Sequence, residues 1–238
     1  MRTAFLLLLV LAGVAGTAQQ PPSMNVSMTD KLNRDRDQQY MNQEIYYLEG
    51  KNVIGNPFLH GAWVNGSLST ADGNTYTHYR LKYNLYNQAV TFLNGLDSMD
   101  VDAEITEFTL IVPEGKELKR LRFINASQLK KEKKTFYYQV LYSDAHGQLL
   151  KHSKKVVAEP DSNVPTYESH KIFRTDVVYY YYSEKTKKLT RLKTPASVQE
   201  AAGLSNEQFG ELQSNTTYDF IVEEDLIRFF TARAAVKN

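Results

Sequence analysis

Alternation with a period of two is the feature that most narrows what this chain can fold into. In residues 75–93, TYTHYRLKYNLYNQAVTFL, Thr77, Tyr79, Leu81, Tyr83 and Leu85 fall on one side of an extended chain. Tyr76, His78, Arg80, Lys82 and Asn84 fall on the other. Successive side chains of a strand point to opposite faces, so the spacing predicts a half-buried strand. Asn87-Gln88 then predicts a turn into residues 89–93, and the pair reads as a hairpin. Tyr79, Leu81, Tyr83 and Leu85 are the expected core-facing set.

The same texture runs along most of the chain. Residues 58–68 lead to the turn signal Ala71-Asp72-Gly73, residues 94–102 read as an acidic loop, and residues 104–112 read as a strand closed by Pro113-Glu114-Gly115. Residues 117–124 are the next strand. There Leu121 and Phe123 share one face and leave Arg120 and Arg122 side by side on the other. Residues 136–142 and 149–157 flank Asp144-Ala145-His146-Gly147 as another hairpin. Residues 172–183, with the run of four Tyr at 179–182, pair with residues 189–193 across 184–188. The 16 Tyr and 11 Phe suit pleated, half-buried surfaces.

Helical signals sit at the two ends. Leu32, Tyr40, Met41, Ile45 and Leu48 recur at helical spacing, so a helix is expected over residues 30–48, closed by Gly50. Thr194-Pro195 predicts a helix start with Pro at its first position. Ser205 and Gln208 form a capping-box pattern ahead of Phe209 and Leu212. Residues 223–235 open on acids, bury Leu226, Ile227, Phe229 and Phe230, and end near Arg233, as an amphipathic helix aligned with its dipole would. The expected fold class is mainly β: an antiparallel curved sheet or open barrel built of hairpins, with short helices at the C-terminal end covering one end or edge.

Residues 1–18 read as a secretory signal peptide, with Arg2, an apolar run over 4–15, and Gly16-Thr17-Ala18 as small residues for cleavage. Residues 19–29 read as a disordered leader and residues 30–238 as one β-rich domain. The expected location is exported, periplasmic or extracellular. The chain has no Cys, so an exported product rests on its core rather than on disulfides, and has no thiol nucleophile.

Without residues 1–18 the chain carries 27 Lys+Arg against 27 Asp+Glu, a balance that argues against nucleic-acid binding. No stretch reads as membrane-spanning. The charge is unevenly placed: residues 113–158 hold 11 Lys/Arg against 4 Asp/Glu, and residues 199–225 hold 7 Asp/Glu and no Lys/Arg. The basic region supplies the candidate binding residues Lys119, Arg120, Arg122, Lys130, Lys131, Lys133 and Lys134. Guanidinium forks suit phosphate and carboxylate, so an anionic lipid, a glycan or an envelope protein are the expected partners. The competing reading is an edge hairpin studded with cations to block strand-to-strand aggregation.

Other chemistry is sparse. His60, His78, His146, His152 and His170 show no short metal-ligand spacing, and no nucleophile elbow or phosphate-cradling loop is present. Asp97, Asp100, Asp102 and Glu104 cluster, but lack the glycine turn and terminal Glu of a calcium loop. No catalytic residue, metal or cofactor is expected. Trp63 and the Tyr side chains are candidates to line a ligand cavity, or ordinary cross-strand packing.

The order PFLHGAWVNGSLSTADGNTYTHYRLKYNLYNQAVTFL, then FYYQVLYSDAHGQLLK, then the Tyr-rich strand and VEEDLIRFF resembles a family of uncharacterised secreted β-rich proteins of Gram-negative bacteria. The resemblance implies a fold and an exported location, and carries no site residues. The function placed first is a non-catalytic envelope module binding a lipid, glycan or hydrophobic ligand in the sheet's concavity, for which a continuous apolar cavity is the sign. The alternative is a structural or adaptor protein binding other envelope proteins, for which a filled core with an exposed patch is the sign. A hydrolase comes last.

Overall fold

The computed structural model describes residues 45–48, 51–101, 103–129, 136–159 and 171–235. The chain divides into two units, Met1–Asn42 and Gln43–Asn238. The first lies outside the described residues, and with it the expected signal peptide, the leader and most of the expected N-terminal helix. Asp102, Lys130, Lys131, Lys133, Lys134 and His170 also lie outside.

The second unit is mainly β. Its strands are β1 (Ile45–Leu48), β2 (Lys51–Ile54), β3 (Val64–Thr70), β4 (Thr75–Asn84), β5 (Ala89–Asn94) and β6 (Asp97–Asp100). They continue as β7 (Ile105–Glu114), β8 (Glu117–Asn125), β9 (Tyr137–Ser143), β10 (Gly147–Ala158), β11 (Lys171–Ser183) and β12 (Leu189–Leu192). All join one sheet in the order β1-β2-β11-β10-β9-β8-β7-β3-β4-β5-β6, with β12 paired to β11. Every pairing is antiparallel except β2 with β11.

Two sequence expectations are corrected. Ile45–Leu48 is not the end of a helix: it is a strand paired to β2 from Ile45↔Ile54 to Leu48↔Lys51. A β-branched residue and two Tyr in a row favour the pleat over the helix there. Residues 94–102 are not simply a loop, since Asp97–Asp100 pairs with β5 from Asn94↔Asp97 to Thr91↔Asp100.

The sheet curls until the β4–β5 turn meets the edge of β10. β9 leaves β10 after Lys151↔Gln139, which frees the next backbone groups of β10. The Lys155 N–H donates to the Leu85 carbonyl at 3.0 Å. Gln88 Nε2 donates to the Ser153 carbonyl at 3.2 Å. Side-chain bonds shape the turn: Asn84 Oδ1 accepts from the Tyr86 N–H at 2.9 Å, and Gln88 sits at φ +60°. A turn satisfies only part of an edge, so the sheet is not closed into a barrel.

The inside of the curl is filled with side chains. Leu81, Tyr83 and Leu85 are almost fully buried with Phe108, Leu110, Phe123 and Tyr137. The Tyr83 ring meets Phe108 at 5.1 Å, Phe123 at 5.4 Å and Tyr137 at 5.7 Å, joining four strands across the curl. Gly66 is required where β3 passes β7: a Cβ there would stand 2.3 Å from the Thr109 carbonyl oxygen. The register of β3 on β4 shifts between Gly66 and Leu68, and His78 takes φ +63°. This bulge bends β4, and the predicted alternation of burial holds from Leu81 to Leu85 but fails at Tyr79, which was expected to face the core and is 38% exposed.

Three helices cover the other end of the same sheet face: α1 (Pro195–Ala202), α2 (Asn206–Asn215) and α3 (Glu223–Arg233). They pack on a face of the sheet, not on its end or edge. Thr194 and Ser197 cap α1 reciprocally, and Ser205 with Gln208 does the same for α2. Leu149, Tyr181 and Leu192 of the sheet pack with Val198, Leu226, Phe229 and Phe230, and Tyr181 stacks on Phe230 at 4.4 Å. Glu223 ties the start of α3 to the strands through Lys151 at 2.7 Å and the Tyr179 hydroxyl at 3.1 Å. Buried Arg233 donates from Nε to the Ala202 carbonyl at 2.9 Å. That places its charge at the negative ends of two helix dipoles. The opposite sheet face carries a smaller cluster of Ile124, Ala126, Tyr138, Leu150 and Tyr182.

Candidate functional site

Of the predicted basic set only Lys119, Arg120 and Arg122 lie among the described residues, and two of these three are paired locally. Leu121 and Phe123 face the core, and Arg120 and Arg122 leave the opposite face, as the alternation predicts. Across β7–β8, Arg122 pairs with Glu107 at 2.7 Å and Lys119 with Glu114 at 2.8 Å. The hydrogen bond that its ammonium donates to Glu114 holds Lys119 above its usual pKa. Both pairs are exposed, so they add little stability. Among the described residues Arg120 has no ion-pair partner.

The remaining candidates scatter. Asp97 and Asp100 are three apart on one strand and so point to opposite faces. His60 bonds within its own turn, to the backbone of Ala62. His146 lies in the β9–β10 turn, whose backbone is held by Asp144 Oδ1. Among the described residues no three His, Asp or Glu side chains gather as a metal site requires. Trp63 is half-buried. Its ring lies 5.4 Å from the Lys82 ammonium, which also sits 4.5 Å over Phe58.

Two features stand out instead. The first is the free end of the sheet. On either side of the bulge, Tyr79 and Tyr76 are 38% and 40% exposed with rings 6.1 Å apart. Tyr79 meets Phe92 at 5.8 Å, and Phe92 lies directly across from Met99, which is 45% exposed. Leu96, in the turn between β5 and β6, is 99% exposed. These side chains border β6, the last strand of the sheet, whose outer edge pairs with no described strand.

The second is a groove of about 270 Å³ on the seam where the β4–β5 turn docks on β10. Tyr86, Asn87, Gln88, Phe136, His152 and Lys154 line it. The His152 ring packs against Phe136 at 4.6 Å, and its Nε2 is buried without a hydrogen-bond partner. Burial, then the nearby Lys154 charge, holds the imidazole below its usual pKa and therefore neutral near pH 7.

Sequence reasoning missed both features. The aromatic end depends on the bulge at His78, for which the only local hint was a Gly in β3. The groove joins residues from three distant segments. The chain matches no known protein family, no curated protein and no solved structure.

Proposed function

We propose that the chain is an exported, non-catalytic adaptor that binds another protein along the β5–β6 end of its sheet. The observation that carries this reading is the pairing of a filled interior with an open, apolar-flanked edge. Tyr83, Phe108, Phe123 and Tyr137 occupy the concavity in which a lipid or hydrophobic ligand would otherwise lie. Outside it, Tyr76, Tyr79, Leu96 and Met99 expose apolar surface beside unpaired strand backbone. Soluble proteins seldom leave such a patch exposed without a partner for it. An added strand supplies main-chain hydrogen bonds to the edge, while alternate side chains meet Met99, behind which lie Phe92 and Tyr79. Asp97 and Asp100 flank the strand and favour a partner segment that carries Lys or Arg.

Affinity capture from the producing cell tests the reading, with a Tyr79→Ser/Met99→Ser double variant beside the wild type. The variant is expected to keep its far-UV circular dichroism and to lose a partner that the wild type retains. Equal recovery of partners by both proteins overturns the reading.

A further inference from the structure

The free end of the sheet also carries a reactive dipeptide. Asn-Gly occurs twice in this chain, as Asn65-Gly66 and Asn94-Gly95. An Asn followed by Gly can close a ring on itself, because Gly has no side chain to hinder its own nitrogen. The Gly nitrogen attacks the Asn Cγ, a C–N bond forms, and the Cγ–Nδ2 bond breaks to release ammonia. Water then opens the cyclic imide at one of its two carbonyls. Opening at Cγ leaves aspartate. Opening at the backbone carbonyl leaves isoaspartate, whose main chain runs through Cγ. The sum is one water consumed and one ammonia released, with no change in oxidation state. We propose that Asn94 is such a modification site, and that its conversion releases β6 from the sheet.

The local geometry singles out Asn94. Gly95 lies in the turn between Asn94 and Asp97 at φ +63°, and nothing stands within 4 Å of where a Cβ would sit. Among the described residues no backbone carbonyl accepts the Gly95 N–H, so the nucleophile is not tied down. Asn94 is exposed, and its amide makes one weak contact, from Nδ2 to Met99 Sδ at 3.6 Å. β6 is four residues long, wholly exposed, and paired with β5 alone among the described strands. Local opening of such a strand supplies the backbone freedom that ring closure needs.

The same chemistry is blocked elsewhere. Gly66 is held between Tyr79 of β4 and Leu110 of β7, and a Cβ on it would stand 2.3 Å from the Thr109 carbonyl oxygen. The rotation that brings its nitrogen to Asn65 Cγ would break the ladder and drive the chain into β7. Asp72-Gly73 can form the same imide, but the Gly73 N–H donates to the Thr70 carbonyl at 3.0 Å, and Thr70 and Asn74 bond the Asp72 carboxylate. Conversion at Asn94 adds a carboxylate beside Asp97 and Asp100, negative near pH 7. Isoaspartate also adds a backbone atom at the residue whose pairing with Asp97 begins β6, which puts the strand out of register. On the edge-docking reading, on which this last consequence alone rests, ageing of the chain withdraws its docking strand.

Incubation of the folded full chain in warm, mildly alkaline buffer tests this, with peptide mapping for aspartate and isoaspartate and hydrogen exchange across Asp97–Asp100. A urea-unfolded sample, in which both Asn-Gly pairs convert, sets the reference. In the folded chain Asn94 is expected to convert at least about tenfold faster than Asn65, the ratio that about 1.4 kcal/mol of barrier makes. Amide exchange across β6 is expected to rise in the aged protein and to stay unchanged in β3 and β7. Asn94→Gln, whose longer side chain closes its ring far more slowly, is expected to show neither change. The inference is overturned by an Asn94 that stays intact while the unfolded chain converts, by equal rates at Asn94 and Asn65 in the folded chain, or by conversion that leaves exchange across β6 unaltered. No readout involves a partner, so these failures are distinct from a failure to capture one through Tyr79 and Met99.

Discussion

Removing one hydroxyl group separates the two forces that hold the curl. In Tyr83→Phe the ring stays among Phe108, Phe123 and Tyr137, and only the 2.5 Å bond to Gln88 Oε1 is lost. Gln88 is the residue that spans the seam to Ser153, so the loss leaves its half-buried acceptor unpaired. That costs about 1–2 kcal/mol. Tyr83→Ala removes the same bond and also the ring, at a position only 2% exposed. Large-to-small changes of buried aromatic side chains cost about 3–5 kcal/mol. The expected order is therefore wild type, then Phe, then Ala, with the second step larger than the first. Urea unfolding followed by tryptophan fluorescence and circular dichroism reads both steps, provided the denaturant slope is unchanged. A Phe variant as stable as the wild type refutes the hydroxyl as a seam anchor. An Ala variant within about 1 kcal/mol of Phe refutes the filled interior.

Three further outcomes are expected. Leu81→Asp costs several kcal/mol because it buries an unpaired charge, whereas Arg80→Asp on the exposed face costs less than about 1 kcal/mol; equal losses in urea would mean the β4 register is wrong. At high pH, burial pushes the hydroxyls of Tyr137, Tyr138 and Tyr181 up to about 12 and that of Tyr83 higher still. Raised folded-state values leave stability intact below the unfolded value near pH 10 and remove it above that. Absorbance at 295 nm is expected to show these Tyr ionising only with unfolding; full ionisation of a folded chain at pH 11 would contradict it. At low pH the sign reverses for His152, whose folded-state pKa is lowered. Its contribution is present above about pH 6.5 and is lost as pH falls below that, so His152→Gln is expected to flatten the acid side of the stability profile. Parallel profiles for the two proteins would remove His152 from that role.

The sequence made legible what is local. Alternation in residues 81–85 marked a core-facing strand because the inner face is packed there, whereas Tyr79, expected in the same set, lies where the packing has ended. Thr194-Pro195 and Ser205/Gln208 marked helix starts because capping is settled within four residues. The long-range facts were not legible. β6 forms because β5 offers it an edge, not because DSMD favours a strand. The bulge at His78 follows from the approach of β3 to β7 at Gly66. Arg120 and Arg122 were correctly placed on one face, but the carboxylate that occupies Arg122 comes from the neighbouring strand. Neither site was visible, since each is assembled by tertiary structure from residues whose types are unremarkable alone.

The central claim is that the chain acts through the open β5–β6 end of a sheet whose interior is full. A photo-crosslinking residue placed at Met99, with the same residue at exposed Thr175 of β11 as control, tests it most directly in the producing cell. The account predicts a discrete cross-linked protein at Met99, lost when Tyr79→Ser is added, and none at Thr175. No product at Met99, or the same products at both positions, would contradict it.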